Sequence, residues 1–345
     1  MKLGMPLSYA GEYKDAVKQV AQLEKAGLDM VWVAEAYGFD GVSFMGYLAA
    51  RTERVEIAAG ILPIYTRTPT LLAMTAAGVD ELSDGRCVLG LGASGPQVIE
   101  GWHGVRYDAP VGRTREIIEI CRAVWRRERV SYEGRHYTLP LPADQGTGLG
   151  KPLKLISRPG RDRIPIYVAS LGPRNVRMTA EVADGWLPFM FLPDKAEEVW
   201  GTDLAAGKAK RSADLGPLEV VAAVMVSVGD EAAGLRDLAR PLLALYIGGM
   251  GARGKNFYND LACRYGFEAE AREVQDLYLD GKKDEAAKAI PERLLEATTI
   301  CGPEGYVLDR LASFKAAGVT VLNATLVGPD IAALAGRLKE WMEHA

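Results

Sequence analysis

Arg86-Cys87-Val88-Leu89-Gly90-Leu91-Gly92-Ala93-Ser94-Gly95 is the stretch around which the rest of the chain is organised. Cys87 to Leu89 and Leu91 can form a buried strand, and they run directly into glycines and a serine. An apolar core element therefore ends at an opening where backbone can approach a ligand. Upstream, Pro69 to Ser83 reads as a helix and Ser83-Asp84-Gly85 as its stop and the turn into the strand. Downstream, a polar, glycine-rich loop over 95–112 leads to a long amphipathic helix that buries Ile117, Ile118, Cys121, Val124 and Trp125. Strand, glycine-rich loop and helix form one parallel α/β unit, with the strand's C-terminal end facing a site.

The same unit recurs in both directions. Lys2 to Leu7, Met30 to Val33, Val55 to Gly60, Ile166 to Ala169, Gly185 to Leu187, Leu218 to Val228 and Val319 to Leu322 supply seven more strands, with helical patterns between them. Eight repeats in 345 residues favour an α/β (β/α)8 TIM barrel over an open doubly wound sheet. The rhythm breaks twice. Over about 130–163 a small hairpin and a proline- and glycine-rich stretch form an insertion, and over about 251–299 an aromatic-rich helical excursion precedes the last strand. A strand resumes after each, so the reading is one domain over 1–345.

Composition sets bounds on function. Hydrophobic residues make up 48% and charged residues 25%, with a net charge of -4, so there is no general attraction to nucleic acid. The arginines from Arg113 to Arg129 are interleaved with Glu116, Glu119 and Glu128 and read as a salt-bridged helix face. The four cysteines are far apart and the three histidines lack a metal-binding spacing, so neither a disulfide framework nor a metal site is expected. The N-terminus lacks a signal peptide's apolar run and no stretch is long enough to span a membrane, so a cytoplasmic location is expected.

Several motifs together carry a resemblance. They are Gly4-Met5-Pro6-Leu7, Val31-Trp32-Val33-Ala34-Glu35, Ala58-Ala59-Gly60-Ile61-Leu62 and Leu82-Ser83-Asp84-Gly85-Arg86 leading to Leu89-Gly90-Leu91-Gly92. Beyond them come Tyr132, Gly134, Tyr137 and Leu139, then Pro165-Ile166-Tyr167-Val168-Ala169 and Ala183-Asp184-Gly185-Trp186. Over nearly its whole length the chain resembles the bacterial luciferase-like superfamily. Within it, the chain looks most like the branch of oxidoreductases that use the deazaflavin coenzyme F420, which includes the methylenetetrahydromethanopterin reductases.

That resemblance implies a tricyclic cofactor ring at the C-terminal mouth of the barrel. It places a non-prolyl cis peptide at Gly60-Ile61, bulging toward the ring. It places the cofactor phosphate at Ser170-Leu171-Gly172-Pro173-Arg174-Asn175, just beyond Ala169. Physics supports the second assignment independently, because Gly172 permits close approach, Pro173 suits a first helical turn, and free N-H groups with Arg174 can neutralise an anion. Glu35 matches an acid that contacts cofactor or substrate and could move a proton. The chain departs from the F420-dependent glucose-6-phosphate dehydrogenases at two points. Ala36 follows the acid where those enzymes have histidine, and Ala93-Ser94-Gly95-Pro96-Gln97 stands where they carry a second acid.

Ser94 and Gln97 can hydrogen-bond a ligand but not act as acids at neutral pH. His103 could titrate near neutrality and is the other catalytic candidate. Tyr37, Asp40 and Trp186 are candidates for pocket walls, and the apolar 61–65 loop could line the pocket. The reading is an oxidoreductase that moves hydride between F420 and an organic small molecule. The alternatives are an FMN-dependent monooxygenase supplied by a separate cofactor reductase, or a cofactor-binding protein without turnover. The resemblance also implies a homodimer.

Overall fold

The computed structural model describes residues 1–8 and 10–344. Eight strands run in parallel: β1 (Lys2–Leu7), β2 (Met30–Val33), β3 (Glu56–Ala59), β4 (Cys87–Gly92), β5 (Ile166–Ala169), β6 (Gly185–Leu187), β7 (Glu219–Val228) and β8 (Val321–Leu326). Each pairs with the next, and β8 pairs with β1 through Lys2 with Val321 and Gly4 with Asn323, so the sheet closes. This is the expected (β/α)8 barrel.

Strand alternation separates two cores. Met30, Trp32, Ala58, Val88, Tyr167, Val221 and Val321 fill the interior of the barrel. The alternate residues, such as Val31, Ile57, Leu89, Ala222 and Leu322, pack outward against the helices in a much larger cluster. The interior is narrow, and glycines make room for its larger members. At Gly185 a Cβ would sit 2.5 Å from the Tyr167 ring.

Helix starts follow capping chemistry. Thr68 accepts a hydrogen bond from Leu71 N at 3.2 Å ahead of helix Pro69–Leu82, with proline in the first turn. Asp40 does the same for helix Gly41–Ala49, accepting from Ser43 N at 3.0 Å. Asp40, a candidate for the pocket wall, is thus engaged as a helix cap.

The first insertion holds the antiparallel pair Tyr132–Glu133 with Thr138–Leu139. Its turn is built on Glu116, which accepts hydrogen bonds from the backbone N-H groups of Arg135, His136 and Tyr137. The arginines of helix Pro110–Trp125 are salt-bridged as expected, but largely to acids on other elements: Arg115 to Glu181 and Arg122 to Asp184.

The second insertion is helical through Phe257–Arg264, Glu268–Leu279, Lys283–Lys288 and Glu292–Thr298. It then delivers a strand that was not expected, Thr299–Gly302, which pairs with the end of β7 from Met225 to Val228. β7 runs to ten residues, and this pairing covers the part that extends past its contacts with β6. The loop expected over 95–112 also contains a short helix, Pro96–Gly101. Among the described residues, no helix is long and apolar enough to cross a membrane.

Candidate active site

Active sites on parallel barrels form where the strands end, at the C-terminal mouth. There the third strand is irregular. Ala58 pairs with Val88, but the next pairing is Leu62 with Leu91, so the chain after β3 spends one more residue than β4 over the same rise. The extra residue makes a bulge, and the Gly60-Ile61 peptide within it is cis. Gly60 N still donates to Val33 O at 2.7 Å, which holds the bulge against β2. The neighbouring strand accommodates it with glycine, because a Cβ on Gly90 would lie 1.7 Å from Ala59 O.

Ile61 lies over the next glycine. A Cβ on Gly92 would meet the Ile61 side chain at 2.7 Å and Ala169 Cβ at 3.4 Å. Bulge, glycine and the end of β5 thus form one continuous shelf, with Gly60, Ile61 and Ala169 partly exposed and Gly92 buried beneath Ile61. Within the apolar 61–65 loop, Leu62 and Ile64 do not line a pocket, since both are fully buried in the core, whereas Tyr65 is partly exposed.

Glu35 is the main correction to the sequence reading. It is no free mouth carboxylate: Arg67 donates to it with Nη1 at 2.6 Å and Nη2 at 2.8 Å, and Gly41 N donates at 2.7 Å. Both side chains are nearly buried, 14% exposed for Arg67 and 9% for Glu35. With Arg67 from the loop after β3 and Gly41 N from the loop after β2 both bound to it, Glu35 fastens those two loops together. The Glu35 carboxylate in turn pushes the Arg67 guanidinium above its ordinary pKa.

The next pair of loops is tied as well. Tyr65 donates to Asp108 O at 2.7 Å, and Arg113 bridges to the Asp108 carboxylate at 2.9 Å. Burial pushes the Tyr65 and Tyr107 hydroxyls up from their ordinary values, so neither ionises near neutral pH. Loops 2, 3 and 4 therefore form one bonded wall of the mouth.

After β5 the chain enters helix Pro173–Val182, capped by Gly172 without any side-chain cap. No acceptor among the described residues takes the N-H groups of Leu171, Gly172 or Arg174, and nothing lies within 4 Å of where a Gly172 Cβ would be. Arg174 is exposed and has no ion pair among the described residues, while Asn175 Oδ1 is buried without a partner. Such a terminus suits an anion. Ser170 departs from expectation, because its side chain is buried, its hydroxyl is hydrogen-bonded to Thr179 at 2.9 Å and its carbonyl accepts from Trp186 Nε1. The Ser170 hydroxyl supports the loop and does not face a ligand. Trp186 is likewise core and not wall, fully buried against Phe191 and Trp200.

Ser94 sits past β4 in a left-handed conformation, φ 58°, with its side chain unpaired among the described residues. His103 lies beyond helix Pro96–Gly101, and its Nε2 is buried with no partner among the described residues. Inside the opposite wall, Ala223 and Thr325 share the inward parity of Val221 and Val321 yet are exposed, which marks open space at that depth. Sequence reasoning passed over Arg67 and these two positions. Arg67 did leave a signal, as the one cation in an otherwise apolar loop.

The site thus lies at the mouth of a closed parallel barrel, between a bulged third strand and a helix N-terminus after the fifth that suits an anion. The chain belongs to the luciferase-like monooxygenase family, whose model matches residues 1–321. It is 42% identical, over 94% of its length and 95% of the relative's, to a Mycobacterium tuberculosis protein provisionally named a coenzyme F420-dependent oxidoreductase. It is 28% identical to 5,10-methylenetetrahydromethanopterin reductase of Archaeoglobus fulgidus, covering 96% of this chain and 95% of that one. The coenzyme F420-dependent tetrahydromethanopterin reductase of Methanopyrus kandleri has the same fold, with a TM-score of 0.82 at 20% identity over 99% of this chain and 98% of that one.

Proposed function

We propose that this chain is an oxidoreductase that binds coenzyme F420 at the barrel mouth and moves hydride between it and a partly apolar organic small molecule. The observation that supports the reading is the continuous shelf from the Gly60-Ile61 bulge over Gly92 to Ala169, leading to the N-terminus of helix Pro173–Val182, whose first N-H groups take no acceptor among the described residues. The relatives named for F420 support the choice of cofactor.

Bound there, the deazaflavin would supply a two-electron carrier, and the protein's work is to hold and shield it. Ile61 and Ala169 would meet the ring system, with Gly92 beneath Ile61, Ser94 would offer it a hydrogen bond, and the N-H groups of Gly172 and Arg174 with the Arg174 guanidinium would take the phosphate. Pro173, in the first helical turn, sets their direction. The Glu35–Arg67 pair holds the wall beside the bulge in place.

A parallel fluorescence titration of the protein with F420 and FMN tests this. Tighter binding of F420 is expected, followed by anaerobic turnover of unsaturated or carbonyl compounds. Preference for FMN with oxygen-dependent turnover would replace the reading with a monooxygenase, and binding of neither would overturn the site. Arg174→Ala should weaken F420 by about tenfold, the loss of roughly one charge-assisted hydrogen bond, without lowering the melting temperature. Unchanged affinity in that variant would remove Arg174 from the phosphate site.

A further inference from the structure

The rim above the shelf carries two large aromatic side chains that do nothing for the core. Tyr37, four residues past β2, and Trp102, at the end of helix Pro96–Gly101 past β4, are each 67% exposed. Their ring centroids are 6.3 Å apart and their planes are inclined at 50°, so they touch without stacking and leave ring faces open. They come from the loops on either side of the third, and the contact between them spans the loop that carries the Gly60-Ile61 bulge. Phe39, at 75% exposure, follows two residues after Tyr37 but packs edge-on against Tyr13 and is no part of the pair.

Two large exposed aromatics in contact with each other are unusual for a surface without a partner. Here the loops that carry them are anchored by the Glu35–Arg67 pair and the Tyr65–Asp108 hydrogen bond. The nearest acids in sequence are already hydrogen-bonded: Glu35 to Arg67 and Gly41 N, Asp40 to Ser43 N, and Glu100 to Tyr107 N at 3.1 Å. A rim that is anchored, apolar and short of free carboxylates offers ring faces to whatever enters the mouth.

We infer that Tyr37 and Trp102 are the substrate-recognition rim of the site and that they select a flat, largely apolar ring system. The inference rests on the mouth being the site of reaction, as proposed above, and it names the class of molecule that reaches it. Each ring contributes a face for offset or edge-on packing, and two such contacts together are expected to favour a planar ligand over its puckered, saturated counterpart by about tenfold.

The test uses 2-naphthol and decahydro-2-naphthol, which share the hydroxyl and the fused two-ring skeleton but differ in planarity. Both are titrated calorimetrically into the full chain, with and without F420. The wild-type protein should bind 2-naphthol about tenfold more tightly. Tyr37→Ala and Trp102→Ala should each reduce that preference and the double variant should abolish it, whereas Tyr37→Phe should keep it.

Equal affinities in the wild-type protein, or a preference that survives in the double variant, would overturn the inference. So would sedimentation showing that Trp102→Ala splits a dimer while the preference persists, since the pair would then be a subunit contact. The arm without F420 keeps this test separate from the cofactor assignment. A protein that fails to bind F420 but still discriminates the two probes would sink the cofactor reading and leave the rim standing.

Discussion

At the scale of single residues, the decisive group at the mouth is Arg67. A carboxylate as buried as Glu35 is tolerated because a two-pronged guanidinium and one backbone N-H satisfy it. Arg67→Met would strand that charge with Gly41 N alone, and removing one partner of a nearly buried pair typically costs about 3 kcal/mol. Urea unfolding should show a loss of that order, and F420 affinity should fall with it, because the second and third loops are no longer joined. Glu35→Gln separates the two possible roles of this residue. If Glu35 fastens loops, stability and cofactor binding suffer together; a variant of native stability that binds F420 but does not turn over would return Glu35 to proton transfer.

At the scale of elements, the bulge after β3 and the glycines of β4 are one device. Gly90 exists for the Ala59 carbonyl, which is backbone and cannot swing away, while Gly92 exists for the Ile61 side chain, which can. Gly90→Ala should therefore prevent accumulation of folded protein or cost about 3 kcal/mol or more, beyond ordinary overpacking. Gly92→Ala should fold, lose only about 1 kcal/mol as Ile61 shifts, and bind cofactor more weakly because the shelf has moved. Comparable melting temperatures for the two variants would refute this account of the bulge. Much of the device was legible in the sequence, since glycine at the end of an apolar strand signals a close backbone approach and the motif resemblance located the cis peptide. The strand Thr299–Gly302 was not, because it follows helix Glu292–Thr298 with no turn residue between them and exists only by pairing with the overhang of β7. Nor was the fate of Ser170 and Trp186: a serine beside a glycine-rich turn reads as a ligand contact until the Thr179 hydroxyl and the Trp186 indole are seen to claim it.

At the scale of the whole molecule, the two ends of the barrel divide the labour, and the motifs that mark the family fall at both. Leu82-Ser83-Asp84-Gly85-Arg86 lies at the N-terminal end, where Arg86 donates to Thr52 Oγ1 and to the carbonyls of Thr52, Val55, Ala49 and Ser83. Glu24 works at the same end, accepting hydrogen bonds from Glu53 N at 3.0 Å, Arg54 N at 2.5 Å and Val55 N at 2.8 Å, which pins helix Tyr13–Lys25 to the entry of β3. Burial pushes its pKa up, but the N-H groups of Arg54, Val55 and Glu53 push it down further, and the net position is below the usual glutamate range. A folded-state pKa lowered in this way adds stability that is fully present above the unfolded glutamate value and is lost as pH falls through the folded one. Glu24→Gln keeps the shape but loses the charge that these N-H groups favour, a loss of about 2 kcal/mol near neutrality. Thermal unfolding of the two proteins from pH 7 down to pH 3 should show a gap that narrows on acidification, since only the wild-type group titrates. F420 affinity at pH 7 should be the same in both, because Glu24 lies at the end of the barrel opposite the mouth. A gap that stays constant with pH would mean that Glu24 acts by shape alone, and a fall in F420 affinity would mean that the two ends are coupled through the barrel.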